Sequence, residues 1–189
     1  MIDALFSVPL GLYDGILPNH LPLIKPACEQ VMQQHGSKHP FYCNIESSFN
    51  TCNNVHELEP FTTLAYTVTL QAQRYVKEIG GRGEPTITNA WINIARSGHY
   101  QEQHHHIDQK TSFVGVYYVQ TNEEDKILLV RPYHDLTWIK GSGHYLRPEA
   151  EIQCREGRLI FFPSHVIHGF KAIQRNVPKI SIAFNFSLG

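Results

Sequence analysis

A mainly β fold, a sandwich or barrel preceded by helices, is the architecture this sequence predicts. Three observations carry it. One strongly helical period lies before residue 80, short β-rich runs recur after residue 83, and 189 residues suit one domain with its own core.

The clearest helix runs over residues 60–81, where Phe61, Leu64, Ala65, Val68, Ala72, Tyr75, Val76 and Ile79 recur at helical spacing. Pro60 suits its first turn and Gly80-Gly81 its end. A shorter helix over about 26–34 stops near Gly36, with Pro22 and Pro26 blurring its start. Beyond Gly83, runs rich in β-branched and aromatic residues predict strands over 90–95, 113–120, 127–130, 151–154, 158–162 and 178–187. Residues 131–150 are rich in Gly, Pro, His and aromatics, and so long a connection is often a lid or binding loop. Neither repeats nor low-complexity tracts interrupt the chain. The expected organisation is one domain over 1–189, helical over about 1–83 and β over about 84–189.

Composition narrows the function classes. Sixteen basic residues against seventeen acidic ones leave a formal charge of −1, and the two signs are interspersed, which argues against nucleic acid as a partner on electrostatic grounds. Cys28, Cys43, Cys52 and Cys154 show no CxxC spacing, and no cationic, apolar leader opens the chain, which points to a reducing cytoplasm rather than a disulfide framework. No apolar run reaches the roughly 18 to 20 residues that span a bilayer, so a soluble protein without membrane partners is expected. Oligomeric state is left open, a homodimer included.

Two histidine-bearing segments carry the chemistry: His104-His105-His106-Ile107-Asp108, then Phe162-Pro163-Ser164-His165-Val166-Ile167-His168. With His106 and Asp108 on one face of a strand end, period-2 alternation lets an imidazole and a carboxylate grip one metal. His168, sixty residues beyond Asp108, supplies a second imidazole from a later antiparallel strand. Two histidines and a carboxylate fill one face of an octahedral iron and leave positions for a cosubstrate and oxygen, which suits a non-haem iron oxygenase. Phe161, Phe162, Ile167 and Phe170 would surround His168 with apolar bulk and limit water access. His165 reads as a loop histidine.

In the last predicted strand, Lys179, Ser181, Ala183 and Asn185 alternate with Ile180, Ile182, Phe184 and Phe186. A cation beside a hydroxyl on one face is what a carboxylate needs inside a barrel, so Lys179 and Ser181 form a candidate anchor for a dicarboxylate cosubstrate. Tyr118 shares parity with Val114 and Val116, and its hydroxyl is a candidate third donor. Trp91, Asn93, Arg131 and Trp138 are candidates for the substrate pocket.

With these residues in view, the chain resembles the 2-oxoglutarate and Fe(II)-dependent oxygenase superfamily, and within it the uncharacterised branch called "putative 2OG-Fe(II) oxygenase". The resembling text runs from Trp91-Ile92-Asn93-Ile94 through Gly98-His99-Tyr100-Gln101-Glu102 and Gly115-Val116-Tyr117-Tyr118-Val119. It continues through Gly157-Arg158-Leu159-Ile160-Phe161-Phe162-Pro163-Ser164, His168 and Ile180-Ser181-Ile182-Ala183-Phe184-Asn185, and Leu5-Phe6-Ser7-Val8-Pro9-Leu10 resembles the branch's start. The resemblance implies a double-stranded β-helix (a jelly roll, cupin-like). It also implies Fe(II), 2-oxoglutarate as cosubstrate and O2, with oxidative decarboxylation to succinate and CO2 driving hydroxylation of a small molecule or protein side chain. Carried over, His106, Asp108 and His168 become the metal-binding and catalytic residues, and Lys179, Ser181 and Tyr118 the cosubstrate site.

Two departures matter. The histidine run is about two residues longer than the branch's HxH, so counting back from Gly115 selects His106 and Asp108, whereas counting forward from Gly98 selects His104 and His106. The carboxylate suits Fe(II) and favours the first count, with His104 the alternative. Lys179 stands where the branch more often has arginine, keeping the charge without the planar fork. The rival reading is a cupin-type metal protein, an isomerase or non-catalytic sensor without 2-oxoglutarate. Gly98 with His104-x-His106 resembles the first cupin motif, but Lys110 and Thr111 stand where its glutamate would be.

Overall fold

The computed structural model describes residues 7–38, 43–108, 110–130, 149–172, 174 and 176–189. Two helices precede most of the β structure. α1 (Leu21–His35) begins about five residues earlier than its sequence signal, because Pro26 is accommodated inside it. That proline forfeits one backbone bond, and the burial of Ile24, Cys28, Val31 and Met32 outweighs the loss. α2 (Phe61–Glu78) follows its apolar stripe closely, burying Phe61, Leu64, Ala65, Val68, Ala72, Tyr75 and Val76. No described helix is long and apolar enough to cross a membrane.

Eleven strands build two antiparallel sheets among the described residues. They are β1 (Gly11–Tyr13), β2 (Ser37–Lys38), β3 (Glu46–Ser47), β4 (Pro85–Ala95), β5 (Gln101–His104), β6 (Phe113–Gln120), β7 (Lys126–Val130), β8 (Glu149–Gln153), β9 (Leu159–Pro163), β10 (Ile167–Phe170) and β11 (Lys179–Leu188). The large sheet has the order β1-β9-β6-β11-β4-β3-β2, and the small sheet β5-β10-β7-β8. The six predicted strands are present within a few residues of their expected limits. β1, β2 and β3 have no counterpart among the predicted strands and carry the helical N-terminal part into the large sheet, while β5 and β10 are the short strands beside the two histidine segments.

The large sheet is covered on both sides, which is why β6 is buried at every position. One face meets the helices: Ile92, Tyr117, Phe161, Ile180, Ile182, Phe184 and Phe186 join Leu64, Val68 and Tyr75 in one core. The other meets the small sheet, where Val114, Val116, Tyr118, Ile160 and Phe162 pack with Ile127 and Leu129. Gly115 makes the first core possible, since a Cβ there would come within 2.8 Å of the Phe161 ring. Gly157, at φ +73°, turns the chain into β9 while its N–H donates to the Tyr118 carbonyl at 2.9 Å.

Alternation along β11 then fixes the site. Its apolar residues face the helices, and Lys179, Ser181 and Ala183 face the space between the sheets. Register places Ser181 opposite Asn93 on one side and Tyr118 on the other, a polar row across three strands.

Candidate functional site

Between the sheets lies a cavity lined by Trp91, Asn93, His104, His106, His168 and Phe170 together with Tyr118, Lys179 and Ser181. A larger hollow of about 600 Å³ lies between β1 and α2, lined by Tyr13, Gln71, Arg74 and Glu78 among others, and holds none of these histidines.

His104, His106 and His168 each offer a nitrogen within 4.8 Å of the others, a group that could hold a metal ion. Strand pairing explains the convergence. His168 on β10 sits opposite His104 on β5, their rings 4.3 Å apart. His106 lies just past β5, where its N–H donates to the Ser164 carbonyl at 2.9 Å. Its ring stacks on Trp91 at 5.8 Å, and Trp91 meets Phe49 edge-on.

All three rings are oriented through Nδ1. Carbonyl oxygens accept from it: Glu102 for His104 at 2.9 Å, the Asn185 side chain for His106 at 2.8 Å and Val166 for His168 at 3.0 Å. A ring nitrogen that donates to an oxygen carries the proton, so each Nε2 keeps its lone pair for a metal. Charge reinforces this. Burial, and then repulsion from His104, pushes His106 down to about 4, and burial also lowers His104 and, most strongly, His168. At neutral pH the group is three uncharged imidazoles, the form a metal requires.

The structure does not bring Asp108 into this group. β5 ends at His104, the chain leaves the sheet, and Ile107 and Asp108 are exposed. The Asp108 carboxylate folds back on its own loop, accepting from the Lys110 N–H at 2.8 Å, the Thr111 N–H at 2.5 Å and the Thr111 hydroxyl at 3.0 Å. Such a turn satisfies an aspartate locally. Period-2 spacing does operate here, but two residues earlier, on His104 and His106. Forward counting from Gly98 therefore gives the observed pair.

The far end of the cavity is built from the candidate cosubstrate residues. Lys179, Ser181 and Tyr118 line it, all buried. The Tyr118 hydroxyl pairs with Cys154, and burial raises its pKa well above the ordinary value, keeping it a neutral phenol. Burial pushes Lys179 down, opposed by the neighbouring Cys154 and Asp125. Lys179 forms no ion pair with any described residue, and its Nζ lies 3.2 Å from the centre of the Phe170 ring.

Of the remaining candidates, Trp91 and Asn93 line the cavity, His165 is exposed, and Arg131 and Trp138 lie outside the described residues. Phe162 packs on His168 at 4.7 Å, whereas Phe161 points to the helix-side core, as its opposite parity requires. Sequence reasoning assigned no role to Asn185, although it shares parity with Lys179 and Ser181; that parity was the available signal.

Residues 89–185, just over half of the chain, match the family described as "Putative 2OG-Fe(II) oxygenase". The chain belongs to this family. It is thereby an oxidoreductase of the class that uses Fe(II), 2-oxoglutarate and O2, and the match decides against the cupin reading. No curated protein shows significant sequence similarity to it. Among solved structures, a prolyl-4-hydroxylase from Pseudomonas putida aligns with a TM-score of 0.68 at 11% identity, covering 97% of this chain and 94% of that one. A viral collagen prolyl hydroxylase from Paramecium Bursaria Chlorella virus-1, in complex with 2-oxoglutarate, aligns at 0.64 and 11%, covering 95% and 96%. HygX from Streptomyces hygroscopicus, with nickel and 2-oxoglutarate bound, aligns at 0.65 and 8%, covering 96% and 83%. These likenesses show the double-stranded β-helix fold. The donor set fits the metal the family implies: three neutral imidazoles with free Nε2 atoms, in an enclosure walled by Trp91 and Phe162.

Proposed function

We propose that the protein is a 2-oxoglutarate-dependent hydroxylase in which His104, His106 and His168 hold Fe(II), and Lys179, Ser181 and Tyr118 receive the distal carboxylate of the cosubstrate. The observation that carries this reading is one cavity with convergent imidazoles at one end and, at the other, a buried ammonium that no described residue pairs as an ion.

Each group has a stated task. Glu102, Asn185 and Val166 hold the rings so that Nε2 faces the metal position. Lys179 offers a charge that has lost its water and gains most from an anion, while Ser181 and Tyr118 stand beside it as neutral donors. Bound Fe(II), with 2-oxoglutarate and O2, supplies oxidative decarboxylation to succinate and CO2 together with oxidation of a substrate C–H bond. Trp91, Val114, Val116 and Phe162 limit water around the reacting centre. Three neutral ligands in place of two histidines and a carboxylate leave one more positive charge at the metal, which the dianionic cosubstrate offsets.

The substrate is a small molecule or a protein side chain; the prolyl hydroxylases among the structural neighbours make peptidyl substrates the first to try. A reducing, cytoplasmic setting accords with Cys28, Cys52 and Cys154, buried thiols that form no disulfide. The test is succinate formation, followed by NMR, in the presence of Fe(II), 2-oxoglutarate and O2, alongside a panel of peptides and metabolites examined by mass spectrometry for gain of one oxygen atom. Succinate that requires both Fe(II) and an intact His168 supports the proposal; none under any condition, with metal bound, overturns it.

A further inference from the structure

Lys179 has an unusual neighbour for a buried cation. It comes from β11 of the large sheet, yet its Nζ lies 3.2 Å from the centre of the Phe170 ring, which belongs to β10 of the small sheet. An ammonium removed from water is costly unless something negative faces it. No described carboxylate does so within ion-pair distance, and the negative face of the aromatic ring stands in that place. Phe170 is itself fixed, packing with Ile45 and Ala95, and Ala95 is the register partner of Lys179. Phe170 also follows His168 by two residues, so one short strand supplies both a metal-position imidazole and the lysine's aromatic partner.

We propose that Phe170 is a positioning residue that holds the Lys179 ammonium in place of a carboxylate and thereby sets the length of 2-oxo dicarboxylic acid the cavity accepts. This rests on the reading that Lys179 receives the distal carboxylate. A flexible stem with four rotatable bonds would otherwise let Nζ settle at several depths between the sheets. The ring confines it to one, at a distance from the histidines determined by β10 itself. A diacid one carbon shorter cannot reach Nζ while its 2-oxo acid end stays at the metal, and one a carbon longer must displace the ring. A ligand without a distal carboxylate is indifferent to Phe170.

The test is equilibrium binding to full-length protein loaded with Mn(II), a redox-inert substitute, measured by calorimetry with 2-oxoglutarate, oxaloacetate, 2-oxoadipate and 2-oxobutyrate. Phe170→Leu should weaken 2-oxoglutarate about tenfold, the scale of a desolvated cation–π contact, and narrow its margin over the shorter and longer diacids. 2-Oxobutyrate, which lacks the distal carboxylate, should bind as it does to wild type, and Phe170→Tyr should restore 2-oxoglutarate binding to within about twofold. Equal weakening of 2-oxobutyrate, or wild-type discrimination in Phe170→Leu, overturns the role of Phe170. Lys179→Met separates the two levels: if it leaves 2-oxoglutarate binding unchanged, the distal-carboxylate reading itself falls, whereas a loss there with none in Phe170→Leu overturns only the inference about the ring.

Discussion

The two ends of the cavity are built in opposite ways. At the histidine end, every ring is tied by Nδ1 to an oxygen and held neutral by burial, so the donors are oriented before any metal arrives. At the lysine end, a charge is buried with no ion-pair partner among the described residues and rests on the face of Phe170. Completed second contacts make a site rigid, while a missing counter-ion makes one selective, because its partner must come from outside.

Breaking the histidine end should have the largest effect. His104→Ala, His106→Ala and His168→Ala are each expected to abolish Fe(II) retention, measured by metal analysis after gel filtration, with activity down by more than about a hundredfold. A variant among these that kept full metal would remove that residue from the ligand set. The contrasting end comes next. Lys179→Met should cost about a hundredfold in 2-oxoglutarate affinity, in the range of a charge-assisted pair, yet leave metal binding and the melting temperature near wild type, since it removes a buried charge that no described residue pairs. A large drop in melting temperature would mean that the lysine is structural.

Asn185→Leu sharpens the comparison at finer scale. It removes the acceptor that orients His106 while sparing the ligand, so metal affinity should fall about ten- to a hundredfold without loss of fold, read by chelator competition. Acid titration of the metal-free protein probes the same end. His106 is lowered from the ordinary 6.5 to about 4, so its neutral form contributes stability that is fully present above pH 6.5 and is lost as the pH falls toward about 4. Stability flat across that window would show that the ring is not buried as described. Asp108→Ala should have the smallest effect, at most about 1 kcal/mol from losing a solvent-exposed turn and no change in metal content.

The lysine end was legible in the sequence because it lies on a regular strand. β11 alternates for ten residues, so the parity of Lys179 and Ser181 predicted their shared cavity, and β6 did the same for Tyr118. At the histidine end the strands are short and their composition is poor in β-formers. β5 reads Gln-Glu-Gln-His and β10 Ile-His-Gly-Phe, so neither announces itself as a strand. Without a strand signal for β5 the register of the histidine run rests on counting, and the preference for a carboxylate selects His106 and Asp108, two residues later than the pair the structure brings beside His168. Pairing with β10 and the self-contained turn of Asp108 set the observed grouping of the histidines, and both are tertiary facts. Phe170 was noticed as apolar bulk, but its position over Lys179 depends on the approach of two sheets that no local pattern records.

The most direct measurement is anaerobic titration of Fe(II)-loaded wild type, His104→Ala and Asp108→Ala with 2-oxoglutarate, following the weak visible charge-transfer band of bidentate chelation. The band is expected in wild type and Asp108→Ala and should be missing in His104→Ala. A band that survives in His104→Ala and vanishes in Asp108→Ala would contradict the three-histidine site and return the carboxylate to the metal.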